Sequence, residues 1–236
     1  MSIIRLFSLI VNINIAILIK LHQINSFMNT TNIFAQTIYE VEFPDFETIQ
    51  QSLVTNLINN YTHKYNGHDH PNKGGLISMI YDQSSNIEIS DPTIQTIRDF
   101  INLHGKEYWN VLNFSKFLNP YVLQLWVNTV KKGGFTSSHN HNPVPIAGVF
   151  YINSRPELGN LFLENPLDLV LGKSAYHSET RTPTRFNYEV QATSGKLVLF
   201  PGWMKHFTTP NPTDETRISM AVNIGCYGQV IMTESF

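Results

Sequence analysis

Apolar and polar side chains alternate along the second half of the chain, and this period of two is the strongest constraint on its fold. From residue 121 onward five segments read as β-strands: "YVLQLWVNTV", "PIAGVFYIN", "NLFLEN", "GKLVLF" and "TRISMAVNI". Turn signals separate them at 132–134 (Lys-Gly-Gly), 156–159 (Pro-Glu-Leu-Gly) and 211–214 (Asn-Pro-Thr-Asp). Short strands divided by turns predict a mainly β barrel or sandwich over about residues 121–225.

The first half of the chain carries helical patterns instead. Residues 44–63 place apolar side chains on one helical face. Residues 91–105 predict a second helix, with Asp91 as its N-cap and Gly105 as its stop signal. We therefore expect N-terminal helices packed on one face of a sheet.

Two segments show neither the strand period nor the helical period. Residues 64–75 are rich in His, Asn, Gly and Pro and predict a loop. Residues 166–190 are irregular and predict a long insertion, which in a compact domain is often a lid over a functional site.

The N-terminus differs from the rest of the chain in composition. Residues 7–19 are apolar but too short and too polar in their middle for a stable membrane span. We interpret residues 1–27 as an N-terminal extension, either signal-like or upstream of a practical start at Met28. Residues 28–236 are then expected to form one domain, because all-β units of this size are common.

The charge balance and the single cysteine limit the classes of function. A net charge of -2 and the lack of a basic stripe give no indication of nucleic-acid binding. Cys226 cannot form an intrachain disulfide, which suits a reducing compartment and favours the cytoplasm. The apolar N-terminal stretch leaves a secretory route open, and the sequence leaves the oligomeric state open.

The last predicted strand has two unlike faces. Its apolar face consists of Ile218, Met220, Val222 and Ile224, and we expect it to pack on the helices. The opposite face carries small and polar residues: Arg217, Ser219, Ala221 and Asn223. A polar face inside a barrel is expected to line a site rather than fill a core.

Two histidines stand one residue apart in "SSHNHNPVPIAGVFY". In an extended segment residues i and i+2 point to the same side, so His139 and His141 can approach one metal ion. His206, in the turn "FPGWMKHF", is the best candidate for a third ligand. The alternative is that such pairs lie on solvated loops or form local hydrogen bonds, as we expect for His63, His68, His70, His104 and His177.

Arg217 is a candidate anion site. A guanidinium followed at the i+2 position by the Ser219 hydroxyl can hold a carboxylate on an inward β-face. The alternative is a surface arginine paired with Asp214 or Glu215, which would contribute little. Further candidates for the wall of the pocket are Trp126, Asn128 and Tyr151, and the last two are candidates for cofactor contacts.

Taken together, the His-x-His pair, "IAGVFYI", "GKLVLFPGWMKHFTTPN" and "RISMAVNI" resemble the 2-oxoglutarate/Fe(II)-dependent oxygenase superfamily, most closely its small members in phages and marine bacteria. The resemblance covers about residues 121–225. It implies a double-stranded β-helix, also called a jelly-roll barrel, with iron at one mouth. The expected function is that of a dioxygenase that hydroxylates a small molecule or peptide and releases succinate and CO2, with ascorbate as a helpful reductant.

Carried to individual residues, the resemblance implies that His139 and His206 are Fe(II) ligands. His141 stands where most of the superfamily has Asp or Glu, and a site of three histidines is less negatively charged than the usual one. Arg217, assisted by Ser219, would bind the distal carboxylate of 2-oxoglutarate.

Two other interpretations stay open from the sequence. A cupin-type metalloenzyme without 2-oxoglutarate has a Gly-x5-His-x-His signature, which Gly133 and His139 match, but Pro145 and Ile146 stand where its glutamate is expected. A jelly-roll binding module without enzymatic activity would bind no stoichiometric metal. Arg217 separates the readings, since only a 2-oxoglutarate enzyme needs it.

Overall fold

The computed structural model describes residues 35–60, 71–85, 87–166 and 187–228. The chain divides into two compact units, Met1–Gln36 and Thr37–Phe236. The predicted extension over residues 1–27 lies outside the described residues. Within the described part of the chain no helix has the length and apolar character that a membrane span requires.

The described residues of the second unit form two α-helices and nine strands. The helices are α1 (Glu47–Asn60) and α2 (Pro92–Val111). The strands are β1 (Tyr39–Glu42), β2 (Asn72–Asp82), β3 (Leu118–Thr136), β4 (Ile146–Asn153), β5 (Leu161–Leu163), β6 (Tyr188–Val190), β7 (Lys196–Pro201), β8 (His206–Thr208) and β9 (Arg217–Gly228). All strand pairs are antiparallel, in a six-stranded sheet of order β1-β7-β4-β9-β3-β2 and a three-stranded sheet of order β6-β5-β8.

The main core lies between the helices and the six-stranded sheet. The apolar face of β9 is fully buried there, as its alternation predicts, and Ile218 and Ile224 are at most 1% exposed. From α1 and α2 the core takes buried residues at helical spacing: Leu53, Leu57, Ile94, Ile97 and Ile101. The expected placement of N-terminal helices on one sheet is therefore confirmed.

A second, smaller apolar cluster lies between the two sheets. It includes Tyr151 of β4, Leu161 of β5 and Phe200 of β7. Because this cluster fills only part of the space between the sheets, the inward faces of β3, β4 and β9 line a cavity. The polar face of β9 lies on this side, as predicted.

The second helix is longer than its sequence signals suggest. Asp91 caps it as expected, because its carboxylate accepts hydrogen bonds from the backbone N–H groups of Thr93 and Ile94 at 2.8 and 3.0 Å. Gly105 does not end the helix, which continues to Val111. A Cβ at Gly105 would lie 2.7 Å from Cδ1 of Ile224, so this glycine lets the helix approach β9 closely.

Two other predicted boundaries are wrong. The expected loop at 64–75 gives way to β2 at Asn72, and residues 61–70 lie outside the described residues. The Lys-Gly-Gly signal at 132–134 is a bulge inside β3 rather than a turn between strands, since Lys73 pairs with Phe135 and Gly75 with Val130.

The predicted insertion at 166–190 is only partly visible. Its end forms β6, which pairs with β5 in the smaller sheet and corrects the irregular reading of Tyr188–Val190. Residues 167–186 lie outside the described residues.

Candidate metal centre

Three histidines meet at one mouth of the cavity between the sheets. His139 follows β3, and His206 begins β8 in the opposite sheet. The ring centroids of His139 and His206 are 4.3 Å apart, and each lies 5.1 Å from the ring of His141. One ring nitrogen from each histidine falls within 4.8 Å of the other two, so the three side chains can hold one metal ion.

The backbone holds these segments together. The turn at Pro201 and Gly202 ends β7 and sends the chain to the other sheet, as the sequence predicts. The His141 N–H donates to the Gly202 carbonyl at 2.8 Å, and the Gly202 N–H donates to the Pro145 carbonyl at 3.0 Å. The segment with the two neighbouring histidines is thereby tied to the turn that delivers His206.

A hydrogen bond at Nδ1 orients each imidazole. His139 Nδ1 donates to the Ser137 carbonyl at 2.8 Å, and His206 Nδ1 donates to the Met204 carbonyl at 3.0 Å. His141 Nδ1 donates to Oδ1 of Asn223 at 2.6 Å. Since carbonyl oxygens only accept, Nδ1 carries the proton in all three rings and Nε2 is the nitrogen with metal-binding character.

Burial keeps two of the three histidines neutral. Burial, followed by the neighbouring His139 and then His141, lowers the pKa of His206 to about 3. Burial also lowers the pKa of His139, against the hydrogen bond to Ser137. Neutral imidazole is the form that binds metal, so at physiological pH these two rings are in the ligand state.

Arg217 lies in the same cavity and is buried, with 3% of its surface exposed. Its guanidinium donates to the carbonyls of Leu158 and Gly159 at 3.2 and 3.1 Å and to Oγ1 of Thr208 at 2.9 Å. Burial lowers its pKa. No carboxylate within the described ranges forms an ion pair with it, so the cavity holds a desolvated cation that lacks an anionic partner there.

The surface alternative for Arg217 does not hold. Glu215 accepts a hydrogen bond from Nη2 of Arg155 at 2.7 Å, and Asp214 pairs with Lys132 at 3.1 Å. Both carboxylates that might have paired with Arg217 at the surface thus have other cationic partners.

The cavity has a volume of about 440 Å³ and contains every candidate that the sequence singled out for the pocket. Its lining includes Trp126, Asn128, Tyr151, Ser219 and the three histidines. Trp126 stacks on His141, with ring centroids 5.8 Å apart. Burial raises the pKa of Tyr151, whose phenol is therefore neutral and able to donate a hydrogen bond.

Sequence reasoning missed three polar groups behind His141. The sequence places Asn223 on the polar face of β9 without indicating a role for it, and it indicates no role for Gln124 or Asp82. Nδ2 of Asn223 donates to Oε1 of Gln124 at 2.9 Å, and Nε2 of Gln124 donates to Oδ2 of Asp82 at 3.2 Å. The one available signal was the inward alternation of Gln124 with Trp126 and Asn128.

The remaining histidine in the described ranges has a local role, as expected. His104 on α2 contacts the hydroxyl of Tyr39 at 2.8 Å and the carboxylate of Glu107 at 2.9 Å. His63, His68, His70 and His177 lie outside the described residues.

The fold is mainly β with helices on one sheet. Three converging histidines and a buried arginine share one cavity, as is typical of metal-dependent enzymes. Comparison with known proteins indicates the family. Residues 124–223 match the family model described as "Putative 2OG-Fe(II) oxygenase". The match assigns this segment to the 2-oxoglutarate/Fe(II)-dependent oxygenases, and the resemblance seen in the sequence is confirmed. No curated protein matches the chain.

Solved structures of this superfamily share the fold at low sequence identity. A prolyl-4-hydroxylase from Pseudomonas putida is 13% identical with a TM-score of 0.55, over 82% of this chain and 95% of that one. HygX from Streptomyces hygroscopicus, solved with nickel and 2-oxoglutarate, is 14% identical with a TM-score of 0.54, over 85% and 86%. The epimerase SnoN, in complex with Fe3+ and alpha ketoglutarate, is 10% identical with a TM-score of 0.57, over 85% and 88%.

These neighbours confirm the predicted double-stranded β-helix. The family match supports an oxidoreductase, and the cofactors of the matched family are Fe(II) and 2-oxoglutarate. The donor set fits the metal, because His139, His141 and His206 each offer an imidazole nitrogen and iron binds imidazole readily.

Proposed function

We propose that this protein hydroxylates a small molecule or peptide side chain in a reaction that depends on Fe(II) and 2-oxoglutarate. The observation that carries the proposal is the pairing, in one cavity, of three imidazoles oriented through Nδ1 with a buried arginine that has no carboxylate partner in the described part of the chain. The first feature suits a metal and the second a dianionic co-substrate.

In this proposal His139, His141 and His206 bind the metal through Nε2. Their Nδ1 hydrogen bonds fix the ring planes in advance, so little orientation is lost when a metal binds. The fold presents the ligands on two sheets that face each other, which leaves the cavity side open for the co-substrate and substrate.

Arg217 would bind the distal carboxylate of 2-oxoglutarate. Its hydrogen bonds to Leu158, Gly159 and Thr208 hold the guanidinium plane in place, and its burial makes a charge-assisted bond stronger than it would be in water. The Ser219 hydroxyl shares the face of β9 and can add one hydrogen bond. Asn128 and Tyr151 line the same cavity and are candidates for further contacts with the co-substrate.

When bound, Fe(II) and 2-oxoglutarate supply the oxidising power by which one atom of O2 enters a substrate C–H bond while the other enters succinate and the co-substrate loses CO2. The contribution of the chain is to position the reactants and to exclude water. Trp126, Phe200 and Leu161 give the cavity apolar walls around its polar groups. The neutral Tyr151 phenol and the Asn128 amide can orient bound groups without adding charge.

The test is succinate formation by the purified full chain. Protein prepared without oxygen is given Fe(II), 2-oxoglutarate and ascorbate and is then exposed to ¹⁸O2. We expect succinate that carries one ¹⁸O atom, formed slowly in the absence of a substrate. Protein that binds Fe(II) stoichiometrically yet forms no labelled succinate would contradict the proposal.

The same assay separates the alternatives. A cupin-type enzyme would bind metal, but its activity would not depend on 2-oxoglutarate, while a binding module would retain no stoichiometric metal. Hydroxylation itself is tested with candidate small molecules and peptides, where one ¹⁸O atom should appear in the product for each succinate formed. A substrate consumed without oxygen incorporation would instead indicate another oxidation by the same site.

A further inference from the structure

A row of hydrogen-bonded polar side chains, buried or half-buried, leads away from the metal centre. It starts at His141, passes through the amides of Asn223 and Gln124, and ends at the carboxylate of Asp82. We propose that Asp82, acting through these two amides, is a positioning residue that fixes the tautomer and orientation of His141. The proposal rests on the proposed function only in taking His141 to be a metal ligand.

The register of the sheet builds this relay. Asp82 lies opposite Gln124 in the pairing of β2 with β3, and Gln124 lies opposite Asn223 in the pairing of β3 with β9. The three residues are therefore cross-strand neighbours on three adjacent strands. Side chains at such positions on one face lie close enough for direct hydrogen bonds.

The carboxylate gives the relay its direction. An ionised carboxylate only accepts hydrogen bonds, so Gln124 must turn its NH2 group towards Asp82 and its carbonyl oxygen towards Asn223. Asn223 must then offer its NH2 group to Gln124 and its own carbonyl oxygen to His141. The proton is thereby placed on Nδ1 of His141, which leaves Nε2 as the ligand nitrogen.

Asp82 is well suited to anchor the relay. It is 7% exposed, and its Oδ1 accepts hydrogen bonds from the backbone N–H and the hydroxyl of Ser84 at 2.9 and 2.6 Å. These hydrogen bonds lower its pKa, with a further contribution from Gln124, so the carboxylate is ionised at neutral pH. Its Oδ2 faces Gln124.

The relay also distinguishes His141 from the other two histidines of the centre. His139 and His206 are oriented by backbone carbonyls, whereas His141 alone is oriented by a side chain. An amide polarised by a carboxylate makes the imidazole a better donor to a metal, as outer-shell carboxylates do for metal-bound histidines. A negative charge thus acts on the third ligand at a distance.

The test compares Asp82→Asn with the full-length parent. An amide at position 82 can face Gln124 with either its oxygen or its NH2 group, so the relay loses its direction. In metal-free protein, ¹⁵N NMR of His141 should show a single Nδ1–H tautomer in the parent and a mixture in Asp82→Asn. The Kd for Co(II), followed by its visible absorption, should rise by about tenfold or more.

A second variant distinguishes loss of the relay from loss of the fold. Adding Asn223→Asp to Asp82→Asn places a carboxylate directly against His141. The hydrogen bonds through Gln124 can then form in the opposite direction, since the amide at position 82 can donate to Gln124. We expect this double variant to recover the Nδ1–H tautomer and most of the Co(II) affinity. Ser85→Ala is the matched control, because it removes only a 3.4 Å contact to the same carboxylate.

The outcomes separate this proposal from the proposed function. If Asp82→Asn keeps the parent's tautomer and Co(II) affinity, or if Ser85→Ala loses them equally, the relay is not a positioning device. The tautomer is measured without metal, 2-oxoglutarate or turnover. If Asp82→Asn changes the tautomer while the parent protein forms no succinate, the result would support the relay and contradict the oxygenase assignment.

Discussion

His139 and His206 form an antiparallel bridge in which each residue donates its backbone N–H to the carbonyl of the other, at 3.1 and 2.9 Å. The two histidines belong to segments that extend from opposite sheets, so this bridge joins the two sheets at the metal centre. It sets the separation of their rings independently of a metal. Because the bridge consists of backbone groups alone, it constrains the two ligand segments, and such preorganisation lowers the cost of ordering a binding site.

His206→Ala should abolish metal binding and succinate formation. It removes the most buried of the three imidazoles, which is 7% exposed, and a lost ligand should exceed the roughly 10–100-fold effect of losing an outer-shell partner. The measurement is Co(II) or Fe(II) binding followed by succinate formation. Lys205→Ala, at the exposed neighbouring position, is the control, and equal turnover by both variants would remove His206 from the site.

Arg217→Ala should raise the KM for 2-oxoglutarate by roughly 30-fold or more, since a buried charge pair that loses one partner costs about 2 kcal/mol or more. Metal affinity should change little, because the guanidinium hydrogen bonds to Leu158, Gly159 and Thr208 and not to the histidines.

Arg155→Ala is the matched control for that measurement. Arg155 is an exposed arginine whose contacts are Glu157 and Glu215, so its loss should leave the KM unchanged. An Arg217→Ala variant with the parent's KM would mean that the co-substrate binds elsewhere.

The sequence predicts those features of the centre that depend on strand periodicity. Alternation alone places Arg217 and Ser219 on the inward face of β9, and the i, i+2 spacing places His139 and His141 on one side. The turn after β7 similarly indicates that His206 crosses to meet them. These are local properties, and the fold leaves them intact.

Features that depend on register between distant strands could not be predicted in this way. Asp82 lies on a strand that begins "NKGG", where consecutive glycines resemble a loop, so its alignment with Gln124 is invisible until β2 pairs with β3. Gly105 reads as a helix stop because its local signal is that of a C-cap. Its actual environment, against Ile224 of β9, exists only in the packed structure.

Gly202→Ala should destabilise the protein and weaken metal binding together. A Cβ at this position would overlap the carbonyl oxygen of Val144, so the turn after β7 must move away from the segment that carries His141. Strain of this kind costs about 1–3 kcal/mol, which corresponds to a Tm lower by roughly 2–12 °C.

Gly225→Ala serves as the control for this substitution, because the nearest atoms to its Cβ lie at an ordinary 3.5 Å. Thermal unfolding and Co(II) titration of both variants check the prediction. If Gly202→Ala lost stability but kept the parent's Co(II) affinity, the turn would not set the ligand geometry.

The stability contribution of Asp82 should depend on pH in a defined direction. Hydrogen bonds from Ser84 lower the pKa of Asp82 below its ordinary value of 3.8, so the folded state favours the carboxylate. Its contribution is complete well above pH 3.8 and is lost as the pH falls through the lower pKa of the folded protein. Asp82→Asn should thus reduce the free energy of unfolding by about 1–2 kcal/mol at neutral pH. The difference from the parent should shrink as the pH falls below 3.8.

Urea unfolding of the two proteins over this pH range measures the difference, and Asp99→Asn, at a side chain that is 60% exposed, is the control. If the difference in the free energy of unfolding stayed constant down to the lowest pH, the charge of the carboxylate would not contribute to stability. Asp82→Asn would then act through shape or packing alone.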